Sequence, residues 1–112
     1  MDKSSEFTYE SDTRKVLESL GRFIKVEPVL SGRSGEPVRN QYVLKYANGE
    51  ALQSYDSLIG IETRGRYYFS ERFNHSKTTR KYCNWWCGMD SRQIQSGLDS
   101  GEFCRLDTFK ME

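Results

Sequence analysis

The segment Y42-VLKYANGEALQSYDSLIGIETRGRYYF-S70 carries the main architectural signal in this 112-residue chain. Its apolar residues alternate with polar ones, and the tight-turn signals Asn48-Gly49 and Arg64-Gly65 interrupt the alternation. Asn-Gly is the strongest short hairpin signal, because a type I′ turn needs two positive φ angles. The pattern therefore predicts four short strands joined as an antiparallel meander.

The strand predicted over residues 58–63 has an apolar residue at alternate positions. Successive side chains of a regular strand point to opposite faces of the sheet. We therefore expect Ile59 and Ile61 on one face, with Gly60 and Glu62 on the other.

The sequence before the meander predicts one more strand and a short helix. Residues 23–29 are rich in β-forming residues, and Pro28 favours a sheet edge. Residues 31–40, SGRSGEPVRN, predict a loop. The helix should begin after a cap at Ser11 or Asp12 and run to about Leu20, with Gly21 as its stop.

After the meander, residues 77–87 predict a helix that is capped by Ser76 and ends at Gly88. Helical spacing places one face of this helix towards the core, namely Thr79, Tyr82, Cys83, Trp86 and Cys87. Trp85 lies on the opposite face. We therefore expect Trp86 in the core and Trp85 at the surface.

A second helix is predicted from Asp90 or Ser91 to about Gly101, and the tail can add a strand through Phe103, Leu106 and Phe109. The predicted fold class is α+β: an antiparallel meander sheet of four to five strands, packed on one face by two or three short helices. Residues 1–112 are expected to form a single domain, with 1–10 as a flexible lead.

Charge is distributed unevenly although the net charge is only +1. The segment 64–81 is strongly basic, and aromatic residues make up 13% of the chain. Clustered cations and exposed aromatic residues are typical of binding surfaces. The candidate binding residues are Arg64, Arg66, Arg72, Lys77, Arg80, Lys81 and Trp85.

Two of these features have alternatives that the sequence leaves open. The basic residues around Ser76 suit an anion at a helix N-terminus, but a solvated, well-capped helix start explains Ser76 and Thr79 without a ligand. Trp85 beside Lys81 suits a binding anchor, but it also suits packing under a loop or the tail.

The three cysteines predict core residues with free thiols rather than a metal site. Cys83 and Cys87 form one short pair, whereas structural zinc sites usually have two such pairs; Cys104 and His75 are too far apart in sequence to form the second. An odd number of cysteines without a signal peptide predicts a reducing cytoplasm. We expect no metal and no cofactor.

Catalysis and membrane insertion are not expected. The chain has one histidine and no phosphate-cradling Gly loop or nucleophile-elbow motif. His75 precedes the predicted helix and Cys87 lies about three turns into it, so a nucleophile–base pair is disfavoured. The apolar runs fall far short of the ~20 residues that a membrane helix needs.

Several short motifs follow one another along the chain: Ser54-Tyr55, Phe73, the run Ser76-x-Thr78-Thr79-x-Lys81, Trp86-Cys87-Gly88, Ile94 and Gly101. From about 42 to 103 the chain resembles a family of small uncharacterised proteins of bacteriophages and other mobile elements. The resemblance implies a phage or prophage origin and no catalytic activity. The sequence departs from the family pattern at Cys83, Trp85 and Cys87.

Three functions are compatible with these patterns. The first is a protein-binding module that modulates or inhibits a host protein stoichiometrically in the host cytoplasm, for example in an anti-defence or anti-CRISPR role. The second is a nucleic-acid-binding module that uses the basic segment 64–81, although the sequence pI of about 7.7 is low for such a domain. The third is a structural phage protein. The oligomeric state is not predicted.

Overall fold

A computed structural model describes residues 13–106. The helices in this part of the chain are α1 (Thr13–Ser19), α2 (Lys77–Cys87) and α3 (Ser91–Ser100). The strands are β1 (Phe23–Leu30), β2 (Pro37–Tyr46), β3 (Gly49–Ser54), β4 (Ser57–Thr63), β5 (Arg66–Ser70) and β6 (Cys104–Leu106). A 3₁₀ turn, Glu71–Asn74, connects β5 to α2.

The strands form one sheet in the order β1-β2-β3-β4-β5-β6. Strands β1 to β5 are antiparallel neighbours, which confirms the predicted meander. Strand β6 pairs with β5 in parallel, through Phe69 and Arg105. The sheet thus has six strands among the described residues, instead of the four to five predicted, while the α+β class is confirmed.

Apolar side chains fill both faces of this sheet. The α2 and α3 helices cover one face, over a cluster of Val29, Val43, Leu52, Ile59, Phe69, Phe73, Cys83, Ile94 and Leu98. The short α1 helix covers the other face, over Val16, Leu20, Leu44, Ala51, Leu58, Ile61, Tyr68, Cys104 and Leu106. Two helices therefore lie on one face, as predicted, and a third lies opposite them.

Strand β4 corrects the prediction that Ile59 and Ile61 share a face. Leu52 pairs with Gly60 and Gln53 pairs with Leu58, so Ile59 is an extra residue in β4. Such a bulge breaks the alternation of side chains between the faces. Ile59 consequently joins the α2 face, whereas Ile61 joins the α1 face.

Two loop predictions also change. The loop predicted over 31–40 is shorter, because β2 begins at Pro37, which pairs with Leu30 on β1. The second hairpin turns over residues 47–48, with Gly49 already paired to Tyr46 rather than forming a type I′ turn with Asn48. Gly49 is needed for close approach instead: a Cβ there would overlap the carbonyl oxygen of Glu62.

Both helices on the α2 face begin and end where the sequence predicts. Ser76 caps α2, accepting from the Thr79 N–H at 3.1 Å, and Gly88 ends the helix with φ 75°. Asp90 caps α3 in a capping box with Gln93. The predictions for residues 1–10, Ser11, Asp12 and Phe109 lie outside the described residues, and the extent of the single domain over 1–112 stays a prediction.

Candidate functional site

The α2 helix separates its two tryptophans as predicted. Trp86 is partly buried against the core, with its ring edge-on to Tyr67 at 5.9 Å and to Phe69 at 6.4 Å. Its indole N–H donates to Glu50 Oε1 at 2.9 Å. Trp85 points away from the sheet, and 59% of its surface is exposed. Trp86 thus packs α2 against the sheet, and Trp85 presents its indole to solvent on the opposite side of the helix.

Trp85 lines a groove between α2 and the loop that follows β1. The groove encloses about 260 Å³, and its lining residues are Leu30, Ser31, Gly32, Arg33, Lys81, Tyr82 and Trp85. Leu30 is 55% exposed at the end of the edge strand β1. Two large apolar side chains therefore face solvent in one groove, although they lie far apart in sequence.

The loop wall of this groove is held by its own hydrogen bonds. The Ser31 N–H donates to the carbonyl of Glu36 at 2.8 Å, and the Gly35 N–H donates to the carbonyl of Ser31 at 2.8 Å. The Ser31 hydroxyl also accepts from the Arg33 N–H at 3.2 Å. A loop ordered in this way loses less entropy when a partner binds against it.

The groove brings two of the predicted binding residues together, Lys81 and Trp85. Lys81 Nζ lies 5.2 Å from the centre of the Tyr82 ring, within the range of a cation–π contact. This contact places the ammonium group over Tyr82, which lines the same groove. The groove therefore has an apolar floor and a cationic rim.

The other predicted residues lie elsewhere. Arg64 lies in the β4–β5 turn and Arg66 begins β5, and both line a separate pocket with Ser19, Thr63 and Tyr68. Arg72 lines a third pocket, described below. Lys77 and Arg80 are exposed on α2, where Arg80 donates to Asn74 at 3.4 Å. The basic segment is thus divided among several places on the described part of the molecule.

The third pocket unites motifs that are distant in sequence. It encloses about 220 Å³ between the β3–β4 turn and the start of α2, and its lining residues are Ser54, Tyr55, Asp56, Ser57, Ile59, Arg72, His75 and Thr79. Ser54 Oγ lies 3.1 Å from Thr79 Oγ1. The Ser54-Tyr55 pair and the Ser-x-Thr-Thr helix start therefore meet at one place.

Cys104 lies apart from the other two cysteines. Cys83 and Cys104 are buried on opposite faces of the sheet, in different clusters. Cys87 is partly exposed one turn after Cys83, and the hydrogen bond from the Cys83 side chain lowers the pKa of the Cys87 thiol to about 7. Within residues 13–106, no three His, Cys, Asp or Glu side chains are arranged to hold a metal ion.

The sequence does not predict the wall of the groove that residues 30–33 form. The predicted strand ends at residue 29 and the predicted loop begins at residue 31, so Leu30 belongs to neither, Arg33 falls in the loop, and nothing local relates them to Trp85. One signal was present: Leu30 is a large apolar residue directly before the polar segment 31–36 of an edge hairpin. Such a residue has few neighbours to cover it.

The described residues form a small α+β domain whose surface includes this groove and the two polar pockets. Residues 24–102 match the model of a family of unknown function, DUF8033. The match covers more than half of the chain, so the protein belongs to that family. No curated protein and no solved structure matches the chain.

The helices give one further negative finding. Among the described residues, none of them has the length and apolar character needed to cross a lipid bilayer.

Proposed function

We propose that the protein is a protein-binding module that holds one partner stoichiometrically, with the Leu30–Trp85 groove as the contact. One observation carries this proposal: Trp85 and Leu30, 59% and 55% exposed, line the same groove. Exposed apolar side chains that converge in a concave site favour association, and tryptophan is among the commonest anchors of protein interfaces.

The rim of the groove suggests the chemistry of the partner. Arg33 and Lys81 both line the groove, and the Lys81 ammonium group is held beside an aromatic ring. Cationic groups around an apolar floor complement a segment in which an apolar side chain is flanked by Asp or Glu. We therefore expect the partner to insert an apolar residue between acidic ones.

The resemblance to mobile-element proteins supports a partner from the host cell. In this proposal the module inhibits or modulates a host protein, for example one of a defence system such as CRISPR, in the host cytoplasm. The free thiols of Cys83 and Cys87 are compatible with a reducing compartment.

The proposal is tested with matched aromatic variants. Tagged wild type, Trp85→Ala and Phe23→Ala are incubated with host lysate, and the retained proteins are quantified by mass spectrometry. Phe23 is a suitable control because it is 50% exposed and contacts Tyr46, which packs against the α1 face. A partner that binds wild type and Phe23→Ala but is lost with Trp85→Ala supports the proposal.

The candidate partner is then purified and its stoichiometry is measured by light scattering. We expect a complex with a fixed ratio of the two chains. Equal binding by Trp85→Ala and wild type would assign the contact to another surface and contradict the proposal.

The charge contribution is tested with a second pair of variants. Lys81→Glu should weaken the complex more than Lys77→Glu, because both residues lie on α2 but only Lys81 lines the groove. The difference between the variants should shrink as salt is raised, since salt screens exposed charges. Equal weakening by both variants would indicate a general charge effect instead.

The two alternative functions stay predictions. Nucleic-acid binding would rely on Arg64 and Arg66, which share one pocket, and on cations that lie elsewhere. Salt-dependent retardation of DNA or RNA that an Arg66/Arg80/Lys81 triple alanine variant abolishes would favour it. The presence of the protein in purified virions would favour the structural role.

A further inference from the structure

The pocket at the start of α2 contains a buried chain of hydrogen bonds. Gln41, which is fully buried, donates through Nε2 to Ser54 Oγ at 2.9 Å. Ser54 Oγ lies 3.1 Å from Thr79 Oγ1, and the Ser76 hydroxyl donates to Thr79 Oγ1 at 3.1 Å. Ser54 and Thr79 are 2% and 5% exposed, and both line the pocket.

Counting hydrogens along this chain leaves one donor over. Ser54 and Thr79 each carry one hydroxyl hydrogen, and the contact between them uses only one of the two. Gln41 and Ser76 contribute hydrogens of their own to the chain. One hydroxyl hydrogen of this pair therefore has no acceptor in this chain of bonds and can be donated to a ligand in the pocket; among the described residues, the buried side-chain atom that lacks any partner is an acceptor, Gln41 Oε1.

Charged and polar groups complete the lining. Arg72 is partly buried, and the 3₁₀ turn positions it: its N–H donates to Ser70 Oγ at 3.0 Å, and its carbonyl accepts from the His75 N–H at 3.0 Å. The buried ring of Phe73 anchors this turn in the core. A guanidinium group and a hydroxyl hydrogen are donors that suit the oxygens of an anion.

Asp56 restricts which anion can bind. Its carboxylate lines the same pocket, and it accepts from the Ser57 hydroxyl at 3.5 Å. A carboxylate has about four acceptor sites, so it can accept from a ligand as well. An oxyanion with a hydroxyl of its own can donate to Asp56 while it accepts from Arg72. An oxyanion without a hydroxyl would place one of its acceptor oxygens against the acceptor oxygens of Asp56.

From this arrangement we infer that the pocket formed by Ser54, Asp56, Arg72 and Thr79 binds free hydrogen phosphate. Hydrogen phosphate has oxygens for Arg72 and for the hydroxyl pair, and it keeps a hydroxyl for Asp56. Sulfate lacks that hydroxyl near neutral pH. The pocket, about 220 Å³, is smaller than the ~300–1,000 Å³ sites of drug-sized ligands, and so it suits a small ion. This site is independent of the Leu30–Trp85 groove.

The first experiment uses the unaltered protein. Inorganic phosphate and sulfate are titrated separately at constant ionic strength, and backbone amide shifts are followed by NMR. Phosphate should give saturable shifts in the turn at residues 54–57 and at the start of α2, and sulfate should bind about tenfold more weakly because it has no hydrogen to donate to Asp56. Absence of saturable phosphate shifts, or equal affinity for the two ions, overturns the inference.

Variants then identify the contacts. Arg72→Gln should weaken phosphate binding about tenfold or more, the range expected for a lost charge-assisted hydrogen bond. Arg64→Gln makes the same charge change at a different pocket and should leave the affinity unchanged within about twofold. Similar losses in both variants would mean unspecific attraction and would overturn the site.

Two further measurements keep the test independent of the folding of Arg72→Gln. Asp56→Asn should narrow the difference in affinity between phosphate and sulfate, because an amide can donate to sulfate. An unchanged difference in affinity overturns the role of Asp56. A phosphate monoester, whose last proton has a pKa near 6, should bind more weakly than the free ion at neutral pH. Tighter binding of the monoester would overturn the assignment to free phosphate.

Discussion

Trp86 covers Gly60 so closely that a Cβ atom on Gly60 would lie 2.7 Å from Cζ3 of the indole. The same ring is edge-on to Phe69 and donates its N–H to Glu50 on β3. Gly60 follows the bulge in β4 and has no side chain, so α2 can rest on the sheet at this point. This contact fixes the distance between α2 and the sheet.

Gly60→Ala should therefore destabilise the protein. The new methyl group meets an aromatic ring that neighbouring rings hold in place, and overpacking of this kind costs about 1–3 kcal/mol. Gly32→Ala is the matched control, because a Cβ at Gly32 has no atom within 4 Å. Urea unfolding should show a lower midpoint for Gly60→Ala only; equal midpoints would mean that α2 shifts freely.

The two tryptophans should differ in their effect on stability. Trp86→Ala removes a partly buried ring and its bond to Glu50, and we expect a loss of about 3 kcal/mol, at the low end for such deletions. Trp85→Ala removes a ring that is mostly exposed and should leave the melting temperature nearly unchanged. A larger loss for Trp85→Ala would contradict the orientation of α2, and thermal unfolding measures both.

Local chemistry explains which parts of this fold were predictable. The bounds of α2 follow from Ser76 and Gly88 because a cap and a left-handed stop act within one turn of the helix. The orientation of Trp85 follows from the same short-range periodicity. The α2 helix could thus be placed before its surroundings were known.

The missed features depend on contacts between distant residues. The bulge at Ile59 exists only in the pairing of β3 with β4. A tail strand through Leu106 is predicted, but its parallel pairing with β5 depends on the two helices that come between these strands. Likewise, the meeting of Leu30 with Trp85, and of Ser54 with Thr79, follows from how α2 lies on the sheet. Neither candidate site could therefore be assembled from spacing alone.

The cap of α2 offers a prediction about local stability. Ser76→Ala removes the acceptor of the Thr79 N–H and should cost about 1 kcal/mol. Ser76→Asp keeps an acceptor and places a negative charge at the helix N-terminus, so this variant should lose much less stability than Ser76→Ala. Thr78→Ala, an exposed change in the same turn, should stay within about 0.5 kcal/mol of wild type by urea unfolding. Equal stability of all three variants would show that the cap contributes nothing.

Cys87 should be the most reactive thiol among the three cysteines at neutral pH. It is partly exposed, and its hydrogen bond with Cys83 lowers its pKa to about 7, so the reactive thiolate forms at lower pH than usual. Cys83 and Cys104 are buried and should react only after unfolding. The rate of alkylation by iodoacetamide, followed by mass spectrometry, should therefore rise with pH through a midpoint of about 7.

The Cys83→Ala variant tests the cause of this reactivity. Without the hydrogen bond from Cys83, the pKa of Cys87 should rise towards the ordinary cysteine value of about 8.5, and the midpoint of alkylation should move up with it. A midpoint that stays near its wild-type position in Cys83→Ala would assign the low pKa to another neighbour. Alkylation of Cys83 before Cys87 in the folded protein would contradict the burial of the α2 face.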